Sequence, residues 1–238
     1  MASDFRTPLY ERYVSTFKGT ADPTSEGAFG WWDHKVLPLL SGLARDAPLL
    51  EIGCGSGGLL AYLARRGFSH AAGIDISAEQ VALARQRGVV ADQGNAMDVL
   101  AQRARAYAAI LAVDVFEHFA RAEVQDLARL IYGALQPGGR LVVQTANGAG
   151  LLSGQVVYGD LTHLTIFTPD SLAQLLRPAG FVDLSFAETG PVPIRLRGTI
   201  DVAIWRAVRA LANAVKYVET GKRQTIWTEN FLCQAFKR

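Results

Sequence analysis

Leu49-Leu50-Glu51-Ile52-Gly53-Cys54-Gly55-Ser56-Gly57-Gly58 drives an apolar run into a glycine-dense turn with a carboxylate at its rim. Glycines at 53, 55 and 57 permit a tight turn with positive φ and let a ligand approach the backbone without meeting a Cβ. The helix expected over about 57–66 then aims its unsatisfied N–H groups at whatever is bound. Gly53, Gly55 and Gly58 also satisfy the G-x-G-x-x-G pattern, with Asp75 near the place of a ribose-binding acid, so the glycines alone leave a dinucleotide open. Glu51 shifts the balance, because a carboxylate beside the turn repels a pyrophosphate but suits a ligand carrying ammonium and sulfonium centres.

Outward from that turn, short apolar runs at 49–52, 71–76, 89–92, 108–113 and 140–145 alternate with helical patterns. This predicts a parallel sheet covered on both faces. Glu51, Asp75, Asn95 and Asp114 fall at or just beyond strand ends, where ligands of such sheets collect. A helix over about 121–135 stops at Gln136-Pro137-Gly138-Gly139, and Thr168-Pro169 opens another after a polar loop that starts at Asn147. Residues 18–30 read as a loop. Ile200, Ala203, Ile204, Ala207, Val208, Leu211, Val215 and Val218 recur at helical spacing among Arg206, Arg209 and Lys216. The simplest packing turns this stripe onto the domain; the alternative lays it on a membrane or a lipid-linked phosphate.

The 238 residues suffice for one α/β domain with insertions and a substantial core. Half are hydrophobic and the formal charge is only +2, which gives no field that argues for nucleic acid. Cys54 and Cys233, the only cysteines, form neither a metal-ligand spacing nor a disulfide framework, so no metal and a reducing compartment are expected. Cys54 reads as a small filler of the turn. Neither a secretory leader nor a membrane span is visible, and a soluble, cytoplasmic protein is expected.

Three segments in order resemble the class I S-adenosylmethionine-dependent methyltransferases: Leu50–Gly57, Gly73-Ile74-Asp75-Ile76-Ser77, and Leu135-Gln136-Pro137-Gly138-Gly139-Arg140-Leu141. The resemblance implies a Rossmann-like α/β fold of seven strands, mostly parallel, with an antiparallel last strand over 225–236. It implies a helical or lid segment at 1–46 and a methyltransferase domain at 47–238, with acceptor-side insertions near 147–168 and 190–222. S-adenosylmethionine is then the cofactor and S-adenosylhomocysteine its product. Gly53, Gly55 and Gly57 would approach the methionyl portion, Glu51 would orient its amino end, and Asp75, followed by Ile76, would take the ribose hydroxyls. Asn95, followed by Ala96, stands where an aspartate usually meets the adenine, and Asp114 would face the methionyl side.

Shorter pieces are similar to bacterial surface-glycan methyltransferases: residues 11–16, Asp114-Val115-Phe116-Glu117-His118, Gly159-Asp160-Leu161-Thr162-His163, and Phe167-Thr168-Pro169-Asp170-Ser171-Leu172, with Glu219-Thr220-Gly221 and Asn230. They imply O-methylation of a glycan or nucleotide-linked sugar; a small aromatic, quinone-precursor or natural-product hydroxyl is the alternative. An oxidoreductase and a non-enzymatic scaffold fit less well, because Glu51 and the Pro-Gly-Gly turn oppose the first and the intact glycine motif the second. His163, oriented by Asp160, is the preferred general base, and His118 is the second candidate. His34 and His70 read as surface residues. Tyr10, Tyr13, Trp31 and Trp32 are candidates for a lid or, equally, for core packing, Asp114, Asp160 and Asn147 for a less favoured magnesium set, and Arg195 and Arg197 for an anionic acceptor group, with surface solvation as their default. The sequence leaves the oligomeric state open.

Overall fold

The computed structural model describes residues 5–11 and 26–238. Among them, seven strands form one sheet: β1 Leu49–Ile52, β2 Ala71–Asp75, β3 Val90–Gln93, β4 Tyr107–Val113, β5 Leu135–Ala146, β6 Phe181–Glu188 and β7 Asn230–Lys237. Their order is β3-β2-β1-β4-β5-β7-β6. β1 to β5 pair in parallel, whereas β7 runs antiparallel to both β5 and β6. This is the mostly parallel sheet expected from the sequence, with the last strand beginning at Asn230.

Side-chain alternation lets the sheet feed two cores. Leu50, Ile52, Ile110, Ala112, Leu141 and Val143 face one cluster, completed by Val124, Leu127 and Ile131 of α6 (Arg121–Ala134) and Leu172 and Leu176 of α8 (Pro169–Leu176). Leu49, Ala109, Leu111 and Val142 face the other, with Leu59, Tyr62 and Leu63 of α3 (Gly58–Arg65). Glu51 shares the parity of Leu49, so a carboxyl enters a strand whose four residues are all buried. Truncating a central residue such as Ile110 to Ala would cost about 2–5 kcal/mol.

Caps fix the segments around the site. Ser77 caps α4 (Ala78–Gln86), and Asn95 Oδ1 accepts from Met97 N at 2.8 Å to cap α5 (Ala96–Ala101). Thr168 and Ser171 form the capping pair of α8, whose first residue is Pro169. A short helix, α7 (Gly154–Tyr158), interrupts the expected polar loop.

Several expectations are corrected. Residues 26–30 are helical, within α2 (Glu26–Lys35); the rest of the proposed loop, residues 18–25, lies outside the described residues, as do Tyr13 and residues 12–16. Trp31 and Trp32 form no lid at the ligand-binding end of the sheet. Both pack on the α3 core, where Trp32 lies 5.2 Å from the Tyr62 ring and Trp31 Nε1 donates to Thr189 O at 2.8 Å. The turn Gln136–Gly139 loops out within β5, because Tyr107 pairs with Leu135 and Ala109 with Arg140. The helix carrying the apolar stripe, α9 (Arg195–Thr220), has no buried residue, and its stripe faces solvent. Its polar side meets the domain instead: Trp205 Nε1 and Arg209 Nη1 donate to Glu188 Oε2 at 3.1 and 2.7 Å, and Lys216 Nζ donates to Gln224 Oε1 at 2.6 Å.

Candidate active site

The strand order reverses between β1 and β4, and a cleft opens there beyond the carboxyl ends of the strands, where open α/β sheets bind ligands. It measures about 230 Å³ and is lined by Gly53 and Gly55 after β1, Asp75 and Ile76 at the end of β2, Asn95 and Ala96 after β3, and Asp114 after β4. Seven of the nine residues proposed for cofactor binding therefore share one cavity.

The other two lie behind it. Gly57 is the left-handed residue before α3, at φ +78°, and a Cβ there would come within 2.9 Å of Ala84 and 2.8 Å of Val89. It serves the packing of the turn. Glu51 is 4% exposed, and its Oε2 has no hydrogen-bond partner. Burial, and then the negative charge of Asp75, raise its carboxyl well above the usual carboxylate range. A buried oxygen without a partner beside a glycine turn is what a ligand ammonium would satisfy, so the donor set fits a cationic amino acid portion.

Asp75 organises the turn. Its Oδ2 accepts from Gly55 N and its Oδ1 from Ser77 N, both at 2.8 Å. Gly53 sits at φ +65°, and a Cβ there would lie 2.5 Å from Val115 Cγ2. Asp114 also has positive φ, at 53°, and accepts from Gln144 Nε2 at 3.0 Å. Cys54 is buried, and burial raises its thiol far above the usual range, consistent with an inert filler.

His118 lines the cleft, and the loop after β5 brings Asp160 and His163 beside His118, behind the lining residues. The His118 and His163 ring centroids are 4.8 Å apart. Thr162 Oγ1 donates to Asp160 Oδ1 at 2.6 Å, and His118 Nδ1 lies 2.8 Å from the same hydroxyl. A hydroxyl that has given its proton to a carboxylate accepts from its other neighbour. His118 is thus protonated on Nδ1, which makes Nε2 its proton-accepting nitrogen. The loop is tied to the His118 turn by Leu164 N and Thr165 N donating to Glu117 O, at 2.7 and 3.1 Å. His163 Nδ1 is buried without a partner. Burial, and then Asp114, push the Glu117 carboxyl upward, while Thr145 Oγ1 donates to its Oε2 at 2.9 Å.

The ligating atoms of His118, Asp160 and His163 lie within 4.8 Å of one another, a grouping that their spacing along the chain does not reveal. The magnesium set Asp114, Asp160 and Asn147 is not supported, since Asn147 is fully buried and spends its amide on Thr228 O and Ala149 N. The cleft also holds residues that no motif signalled. Arg6 of α1 (Arg6–Glu11) donates to His118 O at 2.8 Å and forks onto Glu123 at 2.7 and 2.8 Å. Tyr10 places its ring edge-on to His118, with centroids 6.0 Å apart, as the proposed lid residue that does reach the cleft. His34 and His70 are exposed, as expected.

Residues 26–185 match the family described as a methyltransferase domain. The chain belongs to the class I S-adenosylmethionine-dependent methyltransferases. Among curated relatives, the ubiquinone biosynthesis O-methyltransferase of Xylella fastidiosa strain 9a5c is 30% identical over 208 residues, covering 72% of this chain and 81% of the relative. The protein of the same name from Aeromonas salmonicida is 28% identical, covering 72% and 86%. A solved methyltransferase from Archaeoglobus fulgidus superposes with a TM-score of 0.67 at 18% identity, covering 98% of this chain and all of that one, which supports the fold. S-adenosylmethionine is the cofactor of the family, and it supplies a methyl group activated on a sulfonium. Among the described residues of this methyltransferase, no helix is long and apolar enough to cross a membrane.

Proposed function

We propose that this methyltransferase methylates a phenolic hydroxyl of a small aromatic or quinone-precursor acceptor, with His118 as general base. The observation that carries the proposal is the chain from His118 Nδ1 through Thr162 Oγ1 to Asp160 Oδ1, at the edge of the cleft. A base held in this way can take the acceptor proton as the oxygen attacks, a contribution of roughly 10²–10⁴-fold. A phenol, whose pKa is about 10 in tyrosine, matches an imidazole base of pKa about 6.5 better than a far less acidic sugar hydroxyl does. Tyr10 and Phe119 line the cleft beside His118, and Leu152, Tyr158 and Leu161 stand exposed on the neighbouring loop, an environment suited to an apolar ring. The names of the relatives favour the same class over the glycan acceptor expected from the short motifs.

In this reading His163 supports the ring of His118 from behind rather than meeting the acceptor itself. Glu51 holds the amino end of the cofactor, Asp75 the ribose and Asn95 the adenine side. The Asn95 oxygen already caps α5, which leaves its amide N–H groups as the more available partners.

The test offers the enzyme methyl-labelled S-adenosylmethionine with catechols carrying apolar tails in one series and nucleotide sugars in another. Label recovered in a catechol methyl ether supports the proposal. Label recovered only in the sugars overturns the acceptor class.

A further inference from the structure

The α9 helix is inside out. Trp205, Arg209, Asn213 and Lys216, one face by helical spacing, make its hydrogen bonds to Glu188 and Gln224. The opposite face is apolar along its whole length. Leu196, Ile200, Ile204, Leu211, Val215 and Val218 are 77%, 49%, 57%, 69%, 64% and 87% exposed, and Ala203, Ala207, Ala210 and Ala214 are exposed between them. Together they present on the order of 800 Å², more than the few hundred Å² of apolar patch common on monomers and close to one side of a standard interface.

We propose that this face pairs with the same face of a second copy of the chain, the two helices running antiparallel about a twofold axis near Ala207. The stripe is nearly palindromic about that point. Ile204 would meet the partner's Leu211, Ile200 the partner's Val215, and Leu196 the partner's Val218, so large side chains oppose large ones at each level. Alanine at the centre allows the helices to approach closely. Arg197, near one end, would face the partner's Glu219, near the other, and a twofold axis forms that pair twice. The stripe is about 33 Å long at 1.5 Å per residue, enough for six turns of mutual packing.

A membrane surface is the less suitable occupant. Of the five basic residues of α9, Arg209 and Lys216 are engaged by Glu188 and Gln224, and the exposed Arg195, Arg197 and Arg206 stand against Asp201 and Glu219, a surface balance of only +1, whereas helices that bind anionic lipid carry a large excess of Lys and Arg on the polar face. The two solvent-facing aromatic anchors common in such helices, Trp and Phe, are absent from the exposed stripe.

Sedimentation velocity of the full chain tests the proposal, with S-adenosylhomocysteine binding as the folding control. A species of about twice 25.7 kDa at micromolar concentration is expected, and Leu211→Glu should shift it to the monomer with ligand binding intact. Arg197→Glu and Glu219→Arg should each weaken the dimer, and the double variant should restore it. Should Leu211→Glu fail to fold, Ala207→Cys gives an independent reading, since oxidation should cross-link two copies through the axis while Cys54 and Cys233 stay buried. A monomer at all concentrations overturns the proposal, as does failure of the charge-swapped pair to recover or of Ala207→Cys to cross-link. So does a wild-type chain that stays monomeric yet sediments with vesicles of 3:1 phosphatidylcholine and phosphatidylglycerol.

Discussion

Replacing Glu51 with Gln keeps the shape of the side chain and removes its ability to ionise. In the ligand-free protein the Glu51 carboxyl, buried and without a partner at Oε2, retains its proton well above the ordinary value of 4.5. A cofactor ammonium brought beside it favours the carboxylate, so binding should expel a proton. A charge-assisted hydrogen bond contributes about 1.5–3 kcal/mol, which makes the expected loss of S-adenosylhomocysteine affinity in Glu51→Gln roughly 10- to 150-fold. The pH dependence has a definite sign. Wild-type affinity rises with pH until Glu51 is ionised before binding, and the variant shows no such rise. Stability moves the other way: the folded state holds more protons than the unfolded one above 4.5, so Glu51 lowers stability as pH rises, and the Gln variant loses that slope. Calorimetric titration at pH 7 in phosphate and in Tris separates the proton from the ligand. The wild type should release more protons on binding than the variant does. Equal affinity and equal proton release in the two proteins would refute the assignment of Glu51 to the cofactor amino group.

Asp75→Ala should weaken S-adenosylhomocysteine binding roughly 100-fold and lower stability by about 1–3 kcal/mol, because two turn N–H groups lose their acceptor; calorimetry and thermal unfolding report the two effects separately. Gly53→Ala combines a left-handed backbone with a Cβ driven into Val115, and should lower the melting temperature by several degrees at a cost of about 1–3 kcal/mol. Adding Val115→Ala should recover only the steric part. His163→Ala removes the ring packed against His118 and should reduce turnover about tenfold with cofactor affinity nearly unchanged, measured under single-turnover conditions. Thr162→Val breaks the relay while keeping both histidines, and should reduce turnover about tenfold with no change in affinity for S-adenosylhomocysteine.

The cofactor side was legible because its chemistry is local. Leu49 to Gly58 encodes strand, turn and helix in ten residues, and Asp75, Asn95 and Asp114 follow from where strands end. The acceptor side was not, because its parts meet through tertiary structure. Arg6 reaches Glu123, and His118 reaches Thr162, across spans of chain that no pattern connects. Asp160 was read as orienting His163, whose N–H its carbonyl accepts, but the reach of its carboxylate through Thr162 to His118 depends on tertiary structure and was not visible. β6 escaped notice because Asp183, at φ +51°, sits where the pairing with β7 slips between Val182 and Ser185, and the period of two breaks there. The periodicity of α9 revealed an apolar stripe but could not say which face Glu188 would hold. That choice belongs to Trp205 and Arg209, which satisfy a carboxylate only 12% exposed.

The most direct test of His118 as the base compares wild type with His118→Ala on phenols of graded acidity, with S-adenosylmethionine saturating. An acceptor already ionised needs no base, so the variant should approach wild-type rates on the most acidic phenols and fall roughly 10²–10⁴-fold behind on the least acidic. A loss of the same size across the whole series would contradict the account and leave His118 a positioning residue.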